Sequence, residues 1–466
     1  MALEVVVLAA GAGTRMRSRT PKVLHPLAGR PLLAHVLDAA FRLEAEQCHV
    51  VVGHPADEVK AHFQNEPRIS WVLQEPRLGS GHAAAQALPA VANDATVLVL
   101  LGDVPLVRAE TLSRCIAASG DGIALVTIDL PDPRGFGRIL RRGSSRDSHC
   151  GSRIIGIVED ADATAEQRAI AEINTGILAA PKAVLGTLLE TLDRNNKQGE
   201  YYLTDIVGKA DARGIAVAGV DGRVPEEVMG VNDRVQLAHL ERYYQRGLAD
   251  ELMRQGVAVM DPSRLDIRGR LKAGRDCVID VDVVFEGDVV LGEGVHVGPG
   301  CVIRNSALGD AVEVHPMSCI DGAMVAAGCR IGPYARLRPG TELAESVHIG
   351  NFVETKKASL GVGAKANHLA YLGDASVGAG TNVGAGAITC NYDGVDKHRT
   401  EIGENVFIGT NATLVAPLTI DDEAYVGAGS TITKTVERED LAIGRGRQRN
   451  IQGWTPPAKR QGDEGP

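Results

Sequence analysis

The chain has 466 residues, 44% hydrophobic and 23% charged, too long for a single hydrophobic core and too apolar for wholesale disorder, so two or more domains are expected. A formal charge of −10 argues against nucleic-acid wrapping, because phosphate backbones demand a basic face; an anionic substrate must be met locally. Fifty-four glycines and only 3% aromatics point to cores of small and aliphatic residues, which suits tightly coiled β structure.

At the N-terminus Glu4 stands where a secretory signal would carry basic residues, and the apolar run 5–10 is too short to cross a membrane. No other stretch approaches about eighteen apolar residues, so a soluble chain with no membrane partner is expected. The eight cysteines, at 48, 115, 150, 277, 301, 319, 329 and 390, include no C-x-x-C pair, as expected of reduced thiols in the cytoplasm.

Residues 1–228 alternate aliphatic runs (5–10, 49–53, 96–103, 122–130) with helical stretches, predicting an α/β domain with a mostly parallel, Rossmann-like sheet. In 229–260 the apolar residues fall at helical spacing without proline, predicting one long linker helix. From 261 to 454 aliphatic residues recur every six positions: Ile279, Phe285, Leu291, Val297 and Ile303, later Ile402, Ile408, Leu414, Ile420, Val426 and Ile432. Six is neither a helical nor a strand period; it marks a three-sided solenoid whose aliphatic residues point inward. The register slips by one residue at Leu308, and the segment 386–401 is expected to leave the coil. The tail 455–466, rich in proline and charge, is expected to be disordered.

Directly after the first strand comes Leu8-Ala9-Ala10-Gly11-Ala12-Gly13-Thr14-Arg15-Met16, then Pro21-Lys22. Glycines let backbone N–H groups cradle phosphate oxygens, and Arg15 and Lys22 add charge. No GK[ST] follows and the third glycine of the dinucleotide fingerprint is missing. Leu101-Gly102-Asp103 ends a later strand, where a carboxylate at the C-terminal edge of a parallel sheet is placed to hold Mg²⁺; the alternative is an aspartate serving only the turn.

These residues resemble the bacterial bifunctional UDP-N-acetylglucosamine pyrophosphorylase/glucosamine-1-phosphate acetyltransferases, along nearly the whole chain. The likeness runs through LAAGAGTRM, PKVLHPLAG, Gln74, the turn 78–82, LGDVPL, GFGRI, VED, EINTG, GEYYLTD and GVN. It implies a nucleotide and sugar site built from Leu8, Ala9, Ala10, Gly11, Gly13, Lys22, Leu101 and Gly102. In it Gln74, Gly79 and Ser80 would meet uracil, Gly137, Glu159 and Asn174 would hold the sugar, and Asp103 and Asn232 would bind Mg²⁺. Transfer of uridylate from UTP to a sugar 1-phosphate brings two anions together, so Lys22 and Arg15 would work by neutralising charge, and no protein nucleophile is needed. Ser80 and His82 therefore receive no covalent role. Leu101 stands where an aromatic is common in the family, and 141–153 reads as a longer, polar hairpin.

In the repeat, Arg338 and Lys356 lie eighteen residues apart, one full turn of the coil, so their side chains should stack and repel unless an anion lies between them. His368, twelve residues further on, falls on the next turn but on a different side. A neutral imidazole there suits proton removal from an amine attacking a thioester, although a structural histidine is the other reading. The resemblance implies His368 as the base within H-L-x-Y-L-G-D. It also implies Arg338, Lys356, Tyr371, Asn382 and Lys397 as ligands of the amino-sugar phosphate. Ala385, Asn391, Tyr392, Thr410, Ala428 and Arg445 would line the acetyl-CoA site, Thr410 replacing a serine common there. A homotrimer with acetyl-transfer sites shared between coils is implied too, and flat coil sides make it plausible. Two other readings stay open: a single-activity nucleotidyltransferase whose coil serves assembly or regulation, and a trimerisation scaffold carrying a degenerate nucleotide module.

Overall fold

A computed structural model describes residues 2–142 and 153–456. The expected hairpin extension falls mostly on 143–152 and the expected disordered tail mostly on 457–466, both outside the described residues. The chain forms two compact units, Met1–Leu248 and Ala249–Pro466, which part inside the helix Arg234–Arg254. Asp233 Oδ1 caps the start of this helix by accepting from the N–H groups of Val235 and Gln236, both at 2.9 Å. Gly256, at φ +95° just past its end, lets the chain turn away.

The first unit is built on a sheet with strands β1 (Leu3–Leu8), β2 (Gln47–Val52), β3 (Ile69–Leu73), β4 (Thr96–Leu101), β5 (Ile123–Asp129), β6 (Arg138–Arg142), β7 (Arg153–Val158), β8 (Glu172–Pro181) and β9 (Val217–Asp221). Its order is β9-β5-β8-β4-β1-β2-β3, with β6 joined to β8 and β7 to β6. Strands β1, β2, β3 and β4 run parallel, whereas β8 is antiparallel to β4 and β5. Both faces are covered: Val5, Val7, Val50 and Leu98 lie in one core, Val6, Val51, Val97 and Val99 in the other. That explains why these strands read as unbroken aliphatic runs rather than alternating ones. A third cluster packs Met16, Leu27 and Leu32 against Val231 and Leu240, so the loop after β1 is anchored on the start of the long helix.

The second unit is a left-handed parallel β-helix with an eleven-stranded and a fifteen-stranded sheet. The aliphatic residues with six-residue spacing all point inward and are at most 6% exposed, each worth about 1.5–3 kcal/mol of burial. Strand partners sit eighteen residues apart at Ile267↔Phe285 and seventeen apart at Leu291↔Leu308, so the slip at Leu308 is real. It recurs at Val325, Leu360 and Val377, each five residues after the inward residue of the preceding side and seventeen after its partner on the same side. The expected interruption at 386–401 is too wide. Ile388–Cys390 and Thr400–Ile402 are both coil strands, because their inward residues Thr389 and Ile402 still pair with neighbouring turns; only 391–399 leaves the coil.

Seven described cysteines are free, and burial pushes the Cys48 and Cys115 thiols up to about 12. No described helix is long and apolar enough to cross a membrane.

Candidate functional site

In the first unit the loops at the C-terminal ends of β1 and β4 meet. Gly102 N donates to Leu8 O at 3.0 Å, and an added Cβ on Gly102 would lie 3.1 Å from the Ala9 Cβ, so only glycine allows this approach without a shift. Gly13, at φ +62°, sits against Lys22: a Cβ there would be 2.8 Å from the Lys22 Cβ. The loop from Gly13 to Lys22 thus closes on itself and presents Arg15. Val231 N donates to Asp103 O at 2.8 Å, which brings Asn232 beside the carboxylate. Lys22 Nζ then pairs with Asp103 and lies 3.1 Å from Asn232 Oδ1, which also accepts from Arg15 Nη2 at 2.8 Å.

Asp103 and Asn232 therefore turn oxygens toward one cationic point. Among the described residues no group of three or more His, Cys, Asp or Glu is arranged to hold a metal. Two protein oxygens beside a glycine-rich loop suit Mg²⁺, which usually keeps several waters and takes further ligands from a bound phosphate. Gly11 has no atom within 4 Å of where its Cβ would be, the open space that a phosphate approaching the backbone requires.

From this point a cleft of about 290 Å³ extends past Ser80, Gly137, Glu159, Asn174 and Asn232. Burial raises the Glu159 carboxyl above the usual carboxylate range, and the charges of Asp205, Asp162 and Asp160 add to the shift. Thr204 opposes it by donating to Glu159 Oε1 at 2.8 Å. Asn174 is held by its N–H on Gly137 O (2.8 Å), and its Oδ1 accepts from Gly176 N (3.2 Å). Gln74, 4% exposed, donates from Nε2 to Gly79 O at 2.9 Å and lies 3.1 Å from His82 Nδ1. Ser80 Oγ accepts from Leu203 N at 3.1 Å, the work of a turn hydroxyl, not of a nucleophile. Sequence reasoning had missed Thr204 as a site residue; its signal was its place in GEYYLTD.

In the second unit the strands are β10 (His348–Asn351), β11 (Glu354–Leu360), β12 (Lys365–His368) and β13 (Tyr371–Val377). Leu337 pairs with Thr355, so Arg338 and Lys356 stack one turn apart as the spacing required. Lys397, from the loop 391–399, completes the cluster: its close approach, then its charge and that of Arg338, lower the Lys356 ammonium below the usual lysine range, against the pull of Asp374. Glu354 accepts from Arg338 Nη1 at 2.9 Å, and Asn391 Nδ2 donates to Asp374 Oδ2 at 2.5 Å, fixing the loop to β13. Tyr371 pairs with Glu354 across β11 and β13.

Asn382 stands apart from these groups. It lies in the eleven-stranded sheet between Lys365 and Phe407, whereas Lys356 and Tyr371 belong to the fifteen-stranded one and Arg338 directly follows one of its strands. His368 ends β12 near the corner between the two, exposed, with Nδ1 2.7 Å from Asn351 Oδ1. Ala385, Thr410 and Ala428 follow one another on successive turns, linked by Asn411 N to Ala385 O and Gly429 N to Thr410 O, and Arg445 Nη1 reaches Ala428 O at 2.6 Å. Tyr392 stands exposed on the loop, its hydroxyl on Gly394 O at 2.6 Å. Sequence reasoning had overlooked Glu354 and Asn351, although both lie one turn of coil from residues it named.

Residues 5–154 match the MobA-like NTP transferase domain family, 267–366 the GMPPB C-terminal domain, and 399–434 the bacterial transferase hexapeptide (six repeats). Three curated relatives are each called bifunctional protein GlmU. That of Alkalilimnicola ehrlichii is 54% identical over 459 residues, covering 98% of this chain and 97% of its own. Those of Marinobacter nauticus and Cellvibrio japonicus are 52% and 53% identical, again over 98% of this chain and over 99% and 100% of theirs.

Proposed function

The chain belongs to the family of bifunctional GlmU proteins, and from that membership we propose that it makes UDP-N-acetylglucosamine in two transfers, one on each unit. On the coil, the amine of glucosamine 1-phosphate attacks the thioester carbon of acetyl-CoA. His368 takes the amine proton, the C–S bond breaks, and the departing CoA thiolate takes that proton from the imidazolium and leaves as the thiol. Arg338, Lys356 and Lys397 hold the sugar phosphate with Tyr371 and Asn382, while Ala385, Asn391, Tyr392, Thr410, Ala428 and Arg445 line the acetyl-CoA path.

In the α/β unit, taken as 1–228 with 229–260 as linker and 261–454 as coil, a phosphate oxygen of N-acetylglucosamine 1-phosphate attacks the α-phosphorus of UTP. The bond to the β-phosphate breaks and pyrophosphate leaves. Gln74, Gly79 and Ser80 meet the uracil, Gly137, Glu159 and Asn174 orient the sugar, and the raised, half-screened Glu159 carboxyl accepts from its hydroxyls. Lys22 and Arg15 neutralise the phosphates. Asp103 and Asn232 are the residues that would hold Mg²⁺, which supplies further neutralisation of phosphate charge when bound.

A homotrimer in the cytoplasm completes the reading. Because Asn382 lies in a different sheet of the coil from Lys356 and Tyr371, a neighbouring coil would supply it to a shared site.

The observation that supports two activities over one is the cluster of Arg338, Lys356 and Lys397, which a scaffold has no use for and an anion relieves. The test is a split assay on purified protein. Free CoA is followed from acetyl-CoA plus glucosamine 1-phosphate, and pyrophosphate from UTP plus N-acetylglucosamine 1-phosphate with Mg²⁺. Both products are expected; pyrophosphate alone would reduce the coil to a scaffold or regulator.

A further inference from the structure

The base assigned to acetyl transfer is exposed at a corner of the coil, and an exposed imidazole has two tautomers and free rotation about its side-chain bonds unless something fixes it. One neighbour is placed to do so. Asn351 and His368 are register partners at the ends of β10 and β12, each followed by a left-handed residue, Phe352 and Leu369. Asn351 grips the next turn twice: its carbonyl oxygen accepts from Leu369 N at 3.0 Å, and its Oδ1 lies 2.7 Å from His368 Nδ1. The turns are unusually close here, since a Cβ on Gly350 would lie 1.9 Å from Asn367 O. The amide is half-buried while the imidazole is open, so the better-anchored group sets the orientation of the freer one.

Building on the acetyl-transfer reading above, we propose that Asn351 is a positioning residue for that reaction: its side-chain oxygen accepts the proton on His368 Nδ1 and so leaves Nε2 unprotonated and aimed at the substrate amine. An oxygen acceptor at Nδ1 selects the Nδ1–H tautomer, and only then is Nε2 a base.

The charged and titratable groups on the strands packed around His368 are His348 on β10, Lys365 on its own strand β12, Glu354, Lys356 and Lys357 on β11, and Tyr371 and Asp374 on β13. His348 is close enough for the His368 charge to help lower its pKa, after burial, Arg330, His315 and Lys365. All of these stay constant when only position 351 is changed, so differences between variants report on the Asn351 contact.

The experiment compares full-length wild type, Asn351→Ala and Asn351→Asp by CoA release across neutral pH, with uridylyl transfer and melting temperature as controls of folding. Asn351→Ala is expected to lower kcat by about 10- to 100-fold, part of what a general base supplies, with both KM values within about two-fold and pyrophosphate release unchanged. Asn351→Asp keeps the acceptor and adds a negative charge that favours the imidazolium, so its acidic limb should move up by about one pH unit or more while activity persists at high pH. A wild-type kcat in Asn351→Ala, or an unmoved limb in Asn351→Asp, overturns the proposal. A folded Asn351→Asp without acetyl transfer at any pH overturns it as well, because it would mean that the amide donates to Nδ1. Failure of the wild type itself to release CoA brings down the underlying reading instead, and is distinguished by that control.

Discussion

The two units collect charged groups in opposite ways. In the α/β unit, Lys22 meets Asp103 and Asn232 across 81 and 210 residues of sequence, brought together by the order of the strands and the loops that follow them. On the coil, Arg338 meets Lys356 and Asn351 meets His368 across one turn, 18 and 17 residues. The α/β site is also a cleft with a half-buried carboxylate, whereas the coil offers a convex surface on which His368 and Lys397 stay exposed. A solenoid turns sequence spacing directly into neighbourhood, but one copy cannot wrap a ligand. An α/β sheet encloses its ligand at a crevice beyond the strand ends, using partners that no spacing rule finds.

The strongest way to break this comparison is to disable each unit alone. Asp103→Ala should lower uridylyl transfer by about 10³-fold or more while leaving CoA release unchanged, since it removes the carboxylate facing Lys22 and the phosphates. His368→Ala should do the reverse, by about 10²- to 10⁴-fold. Loss of both activities in either folded variant would falsify the two-site reading.

Glycines sharpen the contrast at a smaller scale. Gly350→Ala forces a Cβ to 1.9 Å from the backbone oxygen of Asn367, a clash that no side-chain motion relieves. It should destabilise the coil by about 1–3 kcal/mol or more and abolish acetyl transfer with it. Gly11→Ala meets no atom within 4 Å and needs no left-handed backbone, so the melting temperature should not move. Its KM for UTP should rise about ten-fold, the loss expected for one hydrogen bond to a charged group. An unchanged KM would mean that the open space at Gly11 is not where phosphate approaches.

The same contrast decides what the sequence could disclose. The coil was legible as far as the inward residues, the slip at Leu308 and the stacking of Arg338 on Lys356, because period is geometry there. Its later slips at Val325, Leu360 and Val377 escaped, since a five-residue side loses its phase without a partner strand to compare. The loop was drawn too wide because Ile388–Cys390 and Thr400–Ile402 are short strands that only pairing reveals. In the α/β unit the motif residues were visible, but Thr204 bonding to Glu159 and the loop anchored by Met16 on Leu240 arise from packing between segments far apart in sequence.

A further variant tests the open surface. Lys356 is held below the usual lysine range first by Lys397, then by Arg338, so it loses its proton at a lower pH than an ordinary lysine. A phosphate binds the ammonium form, so KM for glucosamine 1-phosphate should climb as pH rises into the alkaline range. Lys397→Ala removes the largest cause of that shift and moves the climb to higher pH, while raising KM a few-fold near neutrality by removing one cation. An alkaline limb that stays in place would show that Lys356 does not bind the phosphate.

The smallest effect is expected at the first turns of the coil, where arginines pair with acids one turn on: Arg264 with Asp282, Arg268 with Glu286, Arg270 with Asp288 and Arg275 with Glu293. These ladders look like the stitching of the repeat, yet Arg270 and Asp288 are 80% and 65% exposed, so water and salt screen them. The register they span is already set from inside by Phe285 and Leu291, at 1% and 3% exposure. Arg270→Ala should therefore leave both activities unchanged and shift melting of the coil by less than about 2 °C. At about 1 M salt, where charges are screened beyond about 3 Å, even that difference should vanish. A much larger drop would mean that the first turn is held by its surface charges rather than by its aliphatic column, and that spacing of charge as well as of apolar residues writes the geometry of this unit.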